Sequence, residues 1–153
     1  MDFRDATRIA TAELTPQPWD YTDSTGTTLT VIPAGLREGP GRAEVMIRAT
    51  KSHANATEIG ITTTDLPALL DALEQPVTRP WQHVPHWPDG TAQRWVLDGL
   101  TLTPDGDGFL VGVQEDFGDG DMRCADVRVP EAQRLPLASA LRRAYDVARG
   151  WEN

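Results

Sequence analysis

The sequence predicts an α+β fold, with mainly antiparallel sheet and two packed helices. Three observations carry that class. Several short segments alternate apolar and polar residues with period two, as strands with one buried face do. Two segments instead carry apolar residues at helical spacing, and each follows a group of strands. Between them lie turn formers, with 13 glycines and 12 prolines in 153 residues.

In chain order, residues 3–14 carry Phe3, Ala6, Ala10 and Leu14 at roughly helical spacing before Pro16, which predicts a short amphipathic helix. Residues 15–27 read as a connection anchored by Trp19 and Tyr21. Leu29–Ile32 is β-branched and bounded by Gly26 and Pro33, which predicts a strand, with a loop from Pro33 to Gly41. Ala43–Thr50 and Thr57–Thr62 are the next strands, with Val45, Ile47, Ala49, Ile59 and Ile61 inward. Leu66, Leu69, Leu70 and Leu73 then fall at i, i+3, i+4 and i+7, behind a cap at Thr64 or Asp65 and with Pro67 in the first turn. That helix is expected to end near Gln75.

Pro80–Pro88 is nearly palindromic and proline-rich, and reads as an extended linker whose tryptophans pack and whose histidines face water. Beyond it a similar order returns. Strands are predicted at Gln93–Leu97, Leu100–Thr103, Phe109–Gln114 and Arg123–Val129, with Asp/Gly turns between them. A helix follows over about 136–149, with Leu137, Leu141, Ala144 and Ala148 as its stripe and Gly150 as its cap.

The halves can be set side by side. Leu29–Gly35 matches Leu100–Gly106 in register, Val45 and Ile47 match Val111 and Val113, and Ile59 and Ile61 match Val127 and Val129. The expectation is one compact domain over 1–153, built as a tandem β-β-β-α pseudo-repeat. Its halves are about 28–76 and 93–150, joined by the Pro/Trp/His linker 77–92. A unit that small has a marginal core alone, so the two units would share one.

The formal charge of −9 works against non-specific binding to nucleic acid or anionic lipid, which needs a basic footprint. Lys51 is the sole lysine, a sign of GC-rich coding that suggests a high-GC bacterium. Cys124 is the one cysteine, so no intramolecular disulfide can form. The N-terminus lacks the pattern of a secretory signal, and no apolar run approaches the about 18 residues of a membrane helix. A cytoplasmic protein is expected.

Chemistry-bearing motifs are sparse. His83 and His86, with Asp89 nearby and His53 as a remote fourth ligand, could suggest zinc, but the prolines forbid helical presentation and no cysteine is close. Asp105–Gly108 and Asp116, Asp119 and Asp121 resemble fragments of calcium loops without the required glycine and distal glutamate. Cys124 sits in no nucleophile signature, and a buried apolar role is expected of it. No phosphate-binding loop, dinucleotide fingerprint or nucleophile elbow is present. No catalytic residue, metal or cofactor is therefore assigned.

The outward faces of the predicted sheet are more informative. Thr30, Met46, Arg48, Thr50 and Thr62 share one, and Thr101, Gly112, Gln114, Cys124, Asp126 and Arg128 share another. With the tryptophans of the linker, they yield Arg48, Thr50, Trp81, Trp87, Gln114 and Arg128 as binding candidates. The leading expectation is a non-enzymatic protein-interaction module, accessory, immunity-like or inhibitory, whose acidic surface meets another protein, possibly a basic one. Nucleic acid is an unlikely partner on net charge. The tandem sheet-then-helix order nevertheless resembles that of the Whirly and PC4-like single-strand-binding folds. That resemblance implies a single-stranded nucleic-acid binder as the alternative, with Arg48, Arg94, Arg128 and exposed tryptophan rings as its surface. A small enzyme with a site near His83 and His86 is a further alternative.

Overall fold

The computed structural model describes residues 18–36, 43–51, 56–93, 98–116 and 120–152. Its elements run β1 (Trp19–Thr22), β2 (Thr28–Leu36), β3 (Ala43–Thr50), β4 (Ala56–Thr62), α1 (Leu66–Ala72), β5 (Trp81–Gln82), β6 (Gly99–Asp105), β7 (Gly108–Asp116), β8 (Met122–Pro130), a 3-10 turn (Glu131–Gln133) and α2 (Arg134–Trp151). They form two antiparallel four-stranded sheets in the orders β1-β2-β3-β4 and β5-β6-β7-β8. The class is α+β, as the residue periods require.

Burial alternates strictly along β3, where Ala43, Val45, Ile47 and Ala49 are buried and the residues between them are not. The register stacks like with like: Ile47 lies between Val31 and Ile59, and Val111 between Leu102 and Val127. The apolar faces of both sheets join Leu66, Leu69 and Leu73 of α1 and its C-cap, and Leu137, Leu141, Ala144 and Ala148 of α2, in one buried cluster. Burying a side chain the size of leucine is worth about 2 kcal/mol and an alanine much less, so this shared cluster, mostly Leu, Val, Ile and Phe, is what holds the short elements in place.

Carboxylates tie the sheets together at their edges. Edge strands leave backbone N–H groups without ladder partners. On β8, the Arg128 N–H donates to Asp23 Oδ2 at 3.1 Å. On β4, the Glu58 N–H donates to Glu115 Oε1 of the other sheet. Asp23 Oδ1 also takes the Thr25 N–H, the Thr25 hydroxyl and the Thr27 N–H, closing the β1–β2 turn, where Gly26 has φ 87°. Burial works to raise the Asp23 pKa, but the bonds from Thr25, Arg128 and Thr27 outweigh it and hold the group below its ordinary value.

Arg134 links the two helices. It is buried, its Nη1 donates to the Leu73 carbonyl at 2.6 Å, and its Nε pairs with Glu131 at 2.8 Å. The C-terminal carbonyls of α1 need such a donor, and a cation there also favours the helix dipole.

Several sequence expectations require correction. β1 lies within what reads as connection, and Trp81–Gln82 pair with β6 inside what reads as linker. Both are edge strands too short to stand out from a single segment, and they form by pairing with β2 and β6. β2 continues past Pro33 to Leu36 through a shift in register between Ile32 and Gly35. The first helix stops at Ala72, and Gly150 lies inside α2, not beyond it. The proposed helix at 3–14 and most of the proposed strand at 93–97 lie outside the described residues. Four strands and a helix occur twice in the chain. Pairs such as Leu29 and Leu100, or Ile47 and Val113, are all buried. Any two half-buried sheets give that agreement through period two, so it does not establish a duplication.

Candidate functional site

The outer faces and the Pro80–Gln93 loop together hold the candidate residues. On the first sheet, Arg48 and Thr50 project from β3 away from the core, as period two demands. Arg48 is held by Glu58 directly across on β4, with Nη2 to Oε1 at 3.1 Å, an exposed pair worth little in stability. On the second sheet, Gln114 and Arg128 project outward from β7 and β8. The Arg128 guanidinium contacts Asp105 Oδ2 and Asp107 Oδ1, each at 2.9 Å. The hydrogen bonds it donates to Asp107 and Asp105 raise its pKa further. The two acidic side chains of this turn therefore hold an arginine, where a calcium fragment could be suspected. Cys124 is exposed, not buried, with its thiol 3.7 Å from Gln114 Oε1. Thr101 and Asp126 close over Gly112, where a Cβ would clash with both. A shallow hollow of about 250 Å³ lies on this face.

The loop departs from expectation. Trp81 packs against the core, while Trp87 is 53 % exposed. His83 is withdrawn from water, and His86 is about a third exposed. Both turn onto Asp65, a carboxylate only 6 % exposed at the start of α1. His86 Nδ1–H donates to Oδ1 at 2.7 Å, and the His86 backbone N–H donates to Oδ2 at 3.0 Å. His83, 5 % exposed, brings Nε2 to Oδ2 at 3.3 Å. Burial pushes the His83 pKa below its ordinary value, only partly opposed by the Asp65 carboxylate. Asp65 occupies the N-cap position of α1 but makes no side-chain cap bond. Its oxygens serve the loop instead. The sequence pattern marked Asp65 as a cap, and no local signal joins it to residues 18 and 21 positions later.

Beside this cluster runs a cleft of about 350 Å³, whose wall includes Glu44, Thr62, Asp65, His83, His86 and Asp98. Gly60 makes room there, since a Cβ would collide with the Glu44 carboxylate. Among the described residues, no group of three His, Cys, Asp or Glu side chains is arranged to hold a metal ion. His53 and Arg94 lie outside the described residues. No helix among the described residues is long and apolar enough to cross a membrane.

No protein-family model and no curated protein matches the chain. Several solved structures share its fold, among them two of different source. One is the plant transcriptional regulator PBF-2, with a TM-score of 0.58 and 13 % identity, over 90 % of this chain and 86 % of that one. The other is MRP1/MRP2 of Trypanosoma bruciei, with a TM-score of 0.56 and 16 % identity, over 100 % of this chain and 98 % of that one. These likenesses overturn the protein-interaction module, with another protein as partner, and the setting aside of nucleic acid. The physical error lay in the charge argument: a net charge of −9 is a sum over the molecule, whereas a nucleic-acid surface is a local feature. Neither the bacterial nor the cytoplasmic expectation gains support from them. What the chain shares with both is the fold, two four-stranded antiparallel sheets with their helices.

Proposed function

We propose that this chain is a non-enzymatic protein that binds single-stranded nucleic acid. The observation that carries the reading is its fold, shared over nine-tenths of the chain with a protein described as a transcriptional regulator. The Whirly and PC4-like element order read from the sequence agrees with it. In this reading Trp87, the most exposed of the candidate aromatics, is the stacking surface, while Trp81 lies at the sheet edge, partly buried against the core. Stacking is worth about 1–3 kcal/mol per base and tolerates any sequence. Thr50 and Gln114 line the polar outer faces. Arg48 and Arg128 are the phosphate contacts, and each must exchange a carboxylate partner to act.

That last point sets the signature. If two phosphates at most are contacted, the slope of log affinity on log salt is about −1.4, far shallower than for a basic groove. Fluorescence anisotropy with labelled single strands of DNA and RNA, across a salt series, tests this. Micromolar binding with a shallow slope, weakened by Trp87→Ala, is expected. No binding at about 50 µM protein in low salt, the weak range even for non-specific contacts, ends the reading.

A small enzyme near His83 and His86 is the second reading. One observation favours it: both imidazoles meet a buried carboxylate beside a cleft. Hydrolysis of generic ester or phosphoester substrates that is lost in His86→Ala would carry it.

A further inference from the structure

Among the described residues, two buried side-chain atoms lack a hydrogen-bond partner, Thr62 Oγ1 and His83 Nδ1. Both residues line the cleft of about 350 Å³ beside the Asp65 cluster. They also flank one turn. The Asp65 N–H donates to the Thr62 carbonyl at 3.1 Å, and His83 brings Nε2 to Asp65 Oδ2 at 3.3 Å. With its proton on Nε2, facing that carboxylate, His83 keeps a lone pair on Nδ1 and can only accept there. The Thr62 hydroxyl can donate or accept. Buried polar atoms left alone are costly, and in a native fold they call for an explanation.

The carboxylates of the wall are already engaged. Asp65 accepts from both imidazoles and from the His86 backbone. Asp98 Oδ1 accepts the Asp116 N–H at 2.7 Å, and Glu44 has an interaction of its own. The unmet demand in the cleft is a donor for His83 Nδ1 and a partner for the Thr62 hydroxyl. One atom meets both if it donates and accepts at once, as a hydroxyl oxygen does. Within a single strand the choice is narrow. Phosphate and sugar-ring oxygens only accept, and the bases carry donors and acceptors on separate atoms. Inside a strand only the ribose 2′-hydroxyl does both, and DNA lacks it. A ribose is also uncharged, so it can approach a wall containing carboxylates that would repel a phosphate.

We infer that this cleft takes a ribose of an RNA strand, whose 2′-hydroxyl accepts from the Thr62 hydroxyl and donates to His83 Nδ1. Asp65 is a positioning residue for this contact, because it holds His83 in the tautomer that leaves Nδ1 as an acceptor. The inference rests on the single-strand reading above and assigns RNA over DNA as the strand.

The test measures anisotropy with short strands of one sequence: all uridine, all deoxyuridine, and all 2′-fluoro-deoxyuridine, which keeps the ribose-like pucker but has no hydroxyl proton. The uridine strand is expected to bind about tenfold tighter than either, the size of one hydrogen bond that satisfies a buried acceptor. Thr62→Val should bring that ratio close to one without lowering the unfolding midpoint, since the hydroxyl it removes has no partner to lose. Thr62→Ser should keep the ratio. Equal affinity for the three strands overturns the inference and leaves single-strand binding standing. A fluoro strand that binds as tightly as uridine also overturns it, because strand shape is then what is read, and so does a preference that survives Thr62→Val. If no strand binds, uridine and 2′-deoxyuridine are titrated while the ring-nitrogen signals of His83 are followed by NMR; that of Nδ1 moves when its lone pair gains a donor. A shift with uridine alone keeps the ribose site and discards strand binding. A shift with both nucleosides, or with neither, discards both.

Discussion

Replacing Asp65 with alanine should uncouple the Pro80–Gln93 loop from α1, and its cost can be worked from the contacts. Three hydrogen bonds disappear: two from His86, at 2.7 and 3.0 Å, and a weaker one from His83 at 3.3 Å. Bonds to a charged acceptor contribute about 1.5–3 kcal/mol each, and the long one less. Against this, the variant no longer buries a carboxylate, which returns part of the sum. The loss of an N-cap does not enter, because Asp65 makes no cap bond. His83, already without a partner at Nδ1, would have both ring nitrogens unpaired in a buried site. The net cost is about 3–4 kcal/mol. With a urea slope near 2 kcal/mol/M, the unfolding midpoint should fall by about 1.5–2 M. Asp65→Asn keeps one acceptor for His86 but points an amide N–H₂ at His83, so it should fall between the two. The assay is urea unfolding followed by circular dichroism at pH 7.5. A midpoint shift under about 0.5 M for the alanine variant would refute the view that this carboxylate holds the loop.

Other consequences follow from the same structure. Because burial lowers the His83 pKa below 6.5, the unfolded chain binds more protons just below that pH. Stability should therefore be full above pH 6.5 and decline as pH falls through the folded-state pKa, with a flatter profile in His83→Gln; midpoints at several pH values check it. Arg134→Met removes the donor to the Leu73 carbonyl and the Glu131 pair, at a cost of about 2–4 kcal/mol. That is about 6–12 °C in Tm for a chain of this size, read by calorimetry. Phe109→Ala, at the largest fully buried side chain, should cost about 3–5 kcal/mol, again by urea unfolding. Arg48→Ala should leave stability within about 0.5 kcal/mol, because its pair with Glu58 is exposed, while flattening the salt slope of strand binding by about 0.7.

The legible parts of the fold are those whose signal is local. Val45, Ile47 and Ala49 alternate because a strand has period two, and Leu66, Leu69 and Leu73 recur because a helix has period 3.6. Those periods reflect which side chains leave water, so strands, helices and inward faces can be read from single segments. The outward positions of Arg48, Thr50, Gln114 and Arg128 follow from the same period. Their partners do not. Arg48 meets Glu58 only through strand register, and Arg128 meets Asp105 and Asp107 only because β6–β7 turns back beside β8.

β1 and β5 show the opposite case. Trp19–Thr22 and Trp81–Gln82 are only 4 and 2 residues long, too short to read as strands alone, and they become strands by pairing with the edges of β2 and β6. Asp65 is the sharpest instance. By sequence it is a helix cap, and by structure it is the acceptor that holds two histidines at the wall of a cleft. A carboxylate binds whichever donors packing brings within about 3 Å, and packing is a property of the whole chain. The sequence by itself determined the longer elements, their buried faces and the acidic balance, because each is a sum over neighbours along the chain. The tertiary structure alone decided which charges pair, which imidazole loses water and where the cleft opens, because those depend on residues far apart in sequence meeting in space.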